Sequence, residues 1–176
     1  MSLLTCNLQR IQTWDEAWCL RFNRASINPA IRLTFRTASR LGDGIFWYVL
    51  MLLLLVRYQA DAMLPVAHMT AAGLVCTVLY KWLKRKTHRP RPFNRNLDIS
   101  CVMAPLDQFS FPSGHTLHAV AFSIVALYYY PALGWLLLPF TMLVAVSRLV
   151  LGLHYPSDVL AGIAIGAAVS GLSLGF

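Results

Sequence analysis

The sequence predicts an all-α fold: a polytopic membrane helix bundle of about five transmembrane helices, preceded by N-terminal interfacial helices. Two observations predict it. Of the 176 residues, 57% are hydrophobic and only 12% charged, whereas soluble domains run near a quarter charged. Four stretches also lack Asp, Glu, Lys and Arg altogether: residues 44–56, 62–80, 116–147 and 159–176. A spanning helix needs roughly 20 apolar residues. The second and fourth stretches fit one span each. The third is long enough for two, broken at Pro131 after Tyr128, Tyr129 and Tyr130, with the tyrosines at the interface. Residues 44–56 are short for a span and reach across with their flanks or by local thinning. The expected division is residues 1–43 as amphipathic, interfacial helices and residues 44–176 as one transmembrane domain.

The N-terminal elements are read from caps. Thr13-x-x-Glu16 reads as a capping box that opens a helix near Trp14. Asn28-Pro29 reads as an N-cap followed by proline at the first helical position. In the helix after it, Arg32, Arg36 and Arg40 form one basic stripe at i, i+4, i+8. Ile31, Phe35, Ala38 and Leu41 supply much of the apolar side. That pattern suits a helix lying in the membrane interface. Leu41-Gly42-Asp43-Gly44 is a turn into the first span. Residues 1–43 carry no apolar core of the signal-peptide kind.

The formal net charge is +8. In a soluble chain that excess would suggest nucleic acid. Beside membrane spans it points instead to anionic lipid headgroups or a phosphate substrate, with no nucleic-acid partner. The clustering of Lys and Arg between Lys81 and Arg95 favours phosphate. Cys6, Cys19, Cys76 and Cys101 show no metal-binding spacing and read as small packing residues.

Three polar motifs sit at the ends of apolar stretches: Lys84-x6-Arg91-Pro92, Pro112-Ser113-Gly114-His115, and Ser147-Arg148-x5-His154-x3-Asp158. Span parity places the ends of spans two and four, and the starts of spans three and five, on one membrane face. All three motifs therefore converge. In the second motif, proline and glycine at a helix start leave backbone N–H groups open to an anion, and the helix dipole favours a phosphate there. In the third, Pro156 starts a helix, and Asp158 stands four residues after His154, within plausible reach of its ring. A carboxylate on one imidazole nitrogen fixes the tautomer and leaves the other nitrogen free to attack. Asp158 shares an i+4 stripe with Gly162, Gly166 and Ser170, a small-residue packing face, so it points into the bundle. Arg148, after a long uncharged run, needs an anion: Asp158 or a substrate phosphate. Of the remaining histidines, His68 reads as a packing or hydrogen-bonded residue. A zinc reading of His115, His118 and His154 is disfavoured by the surrounding cations.

Together these motifs resemble the signature of the type 2 phosphatidic acid phosphatase (PAP2) family, which includes bacterial membrane lipid phosphate phosphatases. Every defined position matches: Lys84, Arg91, Pro92, Pro112, Ser113, Gly114, His115, Ser147, Arg148, His154 and Asp158. The resemblance implies an enzyme, a phosphatase needing no metal or other cofactor. It implies His154 as the nucleophile forming a phosphohistidine, Asp158 as its orienting group, and His115 as the acid for the leaving oxygen. Lys84, Arg91, Ser113, Gly114 and Arg148 would hold the phosphate.

The implied substrate is a membrane lipid carrying a phosphate or diphosphate, with undecaprenyl diphosphate preferred on family analogy. Phosphatidic acid, phosphatidylglycerophosphate and the lipid A 1-phosphate are alternatives. A non-catalytic anion-binding protein or transporter is the competing class. The implied location is the bacterial cytoplasmic (inner) membrane. Every Lys and Arg except Arg57 falls on the motif side, which by the positive-inside rule points to the cytoplasm. Several of those charges serve the site, however, and bacterial members of the family face outward, so an extracytoplasmic site is expected.

Overall fold

The structure, a computed structural model, describes the backbone of residues 3–175 and the side chains of residues 9–175. Among the described residues eight α-helices follow in order: α1 (Leu3–Arg24), α2 (Pro29–Arg40), α3 (Phe46–Tyr58), α4 (Met63–Thr87), the single turn α5 (Pro92–Arg95), α6 (Gly114–Tyr129), α7 (Gly134–Val150) and α8 (Pro156–Leu174). No strand occurs among the described residues. The five expected spans are α3, α4, α6, α7 and α8.

Among the described residues three continuous helical stretches are long and apolar enough to cross a membrane: Pro29–Thr87, which contains α2, α3 and α4; Pro131–Val150, which contains α7; and Pro156–Leu174, which is α8. At 1.5 Å per residue α4 is about 37 Å long, but α3 and α6 are only about 20 and 24 Å. Both fall short of a hydrocarbon core of about 30 Å. For α6 the reason is its position. It packs on α4, α7 and α8, and Leu117, Ala119, Ala121, Val125 and Ala126 are fully buried. It is the inner post of the bundle and not a lipid-facing rod. As expected, Pro131 begins the connection between α6 and α7.

The small-residue stripe of α8 lets α6 and α8 approach closely. A β-carbon on Gly162 would lie 2.8 Å from the Ser113 carbonyl oxygen, and one on Gly166 would lie 2.5 Å from that of Leu117. Asp158, Gly162, Gly166 and Ser170 are all buried, so this face points inward as its spacing predicts.

One expectation fails at the N-terminus. Thr13 does not cap a helix. It lies in the interior of α1, where its hydroxyl donates back to the Arg10 carbonyl at 2.9 Å, a local alternative to capping open to any mid-helix threonine. Glu16 accepts from Gln12 Nε2 instead. The cap at Asn28 holds: its side chain accepts from the backbone N–H of Ala30 and of Ile31. On α2 the three arginines are exposed; Ala38 is buried and Phe35 half-buried, while Ile31 and Leu41 stay exposed.

α1 docks on the motif side of the bundle through a polar stripe at i, i+4, i+8: Asp15, Cys19 and Asn23, all buried. Asn23 fastens the Ser100 loop to the end of α7. Its Nδ2 donates to the carbonyls of Ser100 and Val150, and its Oδ1 accepts from Ser100 N–H.

Candidate active site

The three motifs meet in one cavity of about 790 Å³, lined among others by Lys84, Arg91, Gly114, His115, Arg148 and His154. Lys84 ends α4, Arg91 precedes α5, Gly114 and His115 open α6, Arg148 closes α7, and His154 stands in the turn into α8. The convergence expected from span parity is observed.

The spacing of the third motif has a local cause. After Arg148 the chain makes a tight turn in which the N–H groups of Leu153 and His154 both return to the Arg148 carbonyl at 3.1 Å. Gly152 makes this turn at φ +72°, and a β-carbon there would lie 2.6 Å from the Ser100 carbonyl oxygen. Five intervening residues thus fold His154 back beside Arg148.

Arg148 is 2% exposed. Its Nη1 donates to the Ser39 hydroxyl, and its Nε has no hydrogen-bond partner. It forms no salt bridge with a carboxylate among the described residues. Of the two partners open to it in the sequence, Asp158 is therefore excluded. Asp43 and Asp107 act on it only at longer range, and a buried cation facing a cavity with no carboxylate at ion-pair distance favours an anion there.

Lys84 and Arg91 have a carboxylate between them. Lys84 Nζ lies 2.6 Å from Asp107 Oδ2, Arg91 Nη2 lies 3.0 Å from Asp107 Oδ1, and Arg91 Nε donates to the Asp107 carbonyl at 3.0 Å. Burial pushes the Asp107 carboxyl up, but the hydrogen bonds and charges of Lys84 and Arg91 outweigh it and hold it below the usual carboxylate range.

His154 is 1% exposed. Its Nε2 faces Arg91 Nη1 at 3.5 Å, and its Nδ1 is 3.7 Å from Asp158 Oδ2. That separation is within electrostatic reach but too long for the hydrogen bond that the i, i+4 spacing promised. Asp158 Oδ2 accepts instead from the Tyr155 backbone N–H at 2.9 Å. Burial, reinforced by Arg148, Arg91 and Lys84, pushes the His154 imidazole well below its ordinary value. The ring is neutral at neutral pH.

Ser113 stands apart from the other expected phosphate ligands, Lys84, Arg91, Gly114 and Arg148, all of which line the cavity. It is the N-cap residue of α6 and fully buried, and its hydroxyl is engaged with that of Thr116 at 2.9 Å. It does not line the cavity. Its N–H donates to the Asp158 carbonyl at 3.1 Å, joining the second motif to the third. His118 is likewise occupied: Nδ1 contacts the Gly114 carbonyl at 2.9 Å and Nε2 the Thr77 hydroxyl at 3.0 Å, pinning α6 to α4. His68 is hydrogen-bonded as expected, to Tyr129 and Ser173.

Four charged residues were not identified from sequence: Asp15, Asp43, Arg89 and Asp107. Asp43 Oδ1 lies 3.2 Å from His115 Nε2, and Asp43 lines the cavity. Arg89 and Asp15 lie behind Asp158. The one local signal was a carboxylate in a glycine turn, Gly42-Asp43-Gly44, at the mouth of a span.

The PAP2 superfamily model matches residues 61–176, about two thirds of the chain and all three motifs. This chain belongs to the PAP2 superfamily. A decaprenylphosphoryl-5-phosphoribose phosphatase of Mycobacterium tuberculosis is 34% identical over 82% of this chain and 79% of its own. An undecaprenyl-diphosphatase of Bacillus subtilis is 37% identical over 60% of this PAP2 chain and 50% of its own. Among solved structures, a transmembrane PAP2-type phosphatidylglycerolphosphate phosphatase from Bacillus subtilis superposes with a TM-score of 0.69 at 25% identity, over 95% of this chain and 86% of that one. Aquifex aeolicus LpxE superposes with a TM-score of 0.72 at 26% identity, over 88% and 93%. The PAP2 relatives named here as phosphatases are hydrolases, and the solved ones share this bundle of membrane helices.

Proposed function

We propose that this PAP2 protein is a metal-independent lipid phosphatase acting through a phosphohistidine. One observation carries the reading: Arg148, buried and without a carboxylate partner, faces the same cavity as the neutral, buried His154. An anion drawn to Arg148 is thereby brought beside a nucleophile.

In the first step His154 Nε2 attacks phosphorus with its lone pair. The bond from phosphorus to the leaving oxygen breaks, and His115 donates a proton to that oxygen. In the second step His115 takes a proton from water, the oxygen attacks phosphorus, the P–N bond breaks, and inorganic phosphate leaves. Lys84, Arg91, Arg148 and the Gly114 N–H at the start of α6 hold the phosphoryl oxygens. Phosphoryl transfer is mostly positioning and charge stabilisation, and a covalent intermediate splits one difficult step into two. Asp158, paired with Arg89 and 3.7 Å from Nδ1, stabilises the positive ring that forms. Ser113 contributes through its backbone N–H, which ties the turn before α6 to the Asp158 carbonyl.

The substrate is a lipid. The cavity continues from the cations down between α3 and α4, where Trp47, Met51 and Phe122 line it, and reaches Tyr48 and Leu74 on the exposed flank. A phosphate at the cations and an acyl or prenyl tail along that flank fit together. Two relatives named above act on polyprenyl-linked phosphates, so a polyprenyl substrate is preferred, with undecaprenyl diphosphate first. The proposed setting is the bacterial inner membrane with the site on its outer side.

The test is phosphate release by detergent-purified protein from polyprenyl diphosphate, phosphatidic acid, phosphatidylglycerophosphate and lipid A 1-phosphate, with EDTA present. Release that survives EDTA and vanishes in His154→Ala supports the reading. Release lost to EDTA, or none from any lipid, overturns it in favour of a metal site or a transporter.

A further inference from the structure

We infer that Arg89 and Asp15 are positioning residues for the catalytic carboxylate, so that α1 completes the active site from outside the three motifs. This rests on His154 being the nucleophile.

Asp158 is fully buried, and so is Asp15. Two carboxylates buried near one another without a cation would not both stay ionised. Arg89 supplies the cation for both. Its Nη1 donates to Asp158 Oδ1, and its Nη2 to Asp15 Oδ2 at 2.6 Å. Ser157 ties the far side: its backbone N–H donates to Asp15 Oδ1 at 2.9 Å, its hydroxyl donates to Asp15 Oδ2, and its Oγ accepts from Arg89 Nη1 at 2.8 Å. The guanidinium carbon also lies 4.3 Å over the Tyr155 ring. Arg89 is thus held by two carboxylates, a hydroxyl and an aromatic face.

The geometry assigns the two oxygens of Asp158 different tasks. Oδ1 is taken by Arg89. Oδ2 is left with the Tyr155 N–H and the His154 ring at 3.7 Å. Arg89 therefore fixes the carboxylate rotation that turns Oδ2 toward His154. Its ion pair with Oδ1 also favours the anionic form of Asp158, the form that stabilises the charged ring without taking its proton. Asp15 does the same one layer further out, by fixing Arg89 and the first turn of α8. Cys19, one turn on along α1, places its sulfur 3.8 Å from the His154 carbonyl oxygen, so the same helix face braces the nucleophile's backbone.

None of these contacts reaches the phosphate cradle. Loss of the network should therefore lower turnover and leave phosphate binding alone. Orienting groups behind a site cost about 10- to 100-fold when removed. The experiment measures kcat and KM for a lipid phosphate, inhibition by vanadate, and thermal unfolding in detergent, for Arg89→Gln, Arg89→Lys and Asp15→Asn. The expected result for Arg89→Gln is a kcat about 100-fold lower, with KM and the vanadate inhibition constant within about threefold of wild type. Arg89→Lys, which keeps the charge but not the fork, should recover part of that loss, and Asp15→Asn should lose about tenfold.

Unchanged kcat in Arg89→Lys and Asp15→Asn overturns the inference, and these two variants decide it should Arg89→Gln not fold. So does a loss that tracks the fraction unfolded, or one that appears in KM and vanadate binding. Wild-type turnover that persists in His154→Ala would sink the parent reading instead, whatever the Arg89 variants do.

Discussion

Lys84 Nζ and Asp107 Oδ2 lie 2.6 Å apart, so the cation pair at the cavity already grips a carboxylate. Arg91 holds the other oxygen of Asp107 at 3.0 Å. A phosphate using Lys84 and Arg91 must displace it. Half-exposed ion pairs contribute about 0.5–1 kcal/mol, which is about twofold to fivefold in affinity. Asp107→Asn should therefore tighten inhibition by vanadate or inorganic phosphate by about that factor. An inhibition constant that is unchanged or weaker would show that Asp107 does not compete.

The contact between Asp43 and His115 gives a second prediction. Asp43 Oδ1 is 3.2 Å from His115 Nε2, close enough to orient the ring that hands a proton to the leaving oxygen. Asp43→Asn should lower kcat about tenfold on a lipid phosphate, where the leaving alkoxide needs a proton. It should have little effect on p-nitrophenyl phosphate, whose leaving group does not. Equal losses on both substrates would assign Asp43 to binding or folding.

The pH dependence follows from His154. Burial, then Arg148, Arg91 and Lys84, hold its ring well below its ordinary value. The nucleophile must be neutral, so the acid limb of kcat/KM should lie well below pH 6.5. The stability linkage has a definite sign. Above about pH 6.5 the ring is neutral in both states and contributes nothing to the pH slope. Below that, the unfolded chain takes up a proton that the folded one refuses, so stability falls with pH down to the folded value. An acid limb near or above pH 6.5, followed on kcat/KM, would contradict the neutral nucleophile.

Helix approach between α6 and α8 makes a prediction about two glycines. A β-carbon at Gly166 meets a backbone oxygen of α6 at 2.5 Å, and one at Gly162 meets the Ser113 oxygen at 2.8 Å. Each Gly→Ala change should destabilise by about 1–3 kcal/mol through overpacking, read as a lower thermal midpoint. Only Gly162→Ala should also cut kcat sharply, because it pushes on the turn carrying Gly114 and His115. Equal activity loss in both would place the effect in global stability.

The cavity residues Lys84, Arg91, His115, Arg148 and His154 were legible because each lies at an apolar boundary, where charges and histidines are costly and parity dictates the face. The inward stripe of α8 was legible for the same reason: its spacing is a helical period. Asp15, Asp43, Arg89 and Asp107 were not, because their roles depend on which segments dock. Asp15 meets Ser157 across 142 positions of chain, and no local period encodes that. Thr13 misled because a threonine inside a helix can bond its own backbone as readily as it can cap. Ser113, expected among the phosphate ligands, has its hydroxyl against that of Thr116 three residues on, a contact that the motif alone does not reveal.

The most direct test is rapid trapping of the intermediate. Protein in EDTA is mixed with a lipid phosphate labelled in its terminal phosphoryl group and quenched in alkali within one turnover. An alkali-stable, acid-labile phosphoenzyme is expected, with its label on His154 and absent in His154→Ala. Phosphate released at the full rate with no labelled enzyme at any time, or label carried by another residue, would contradict it.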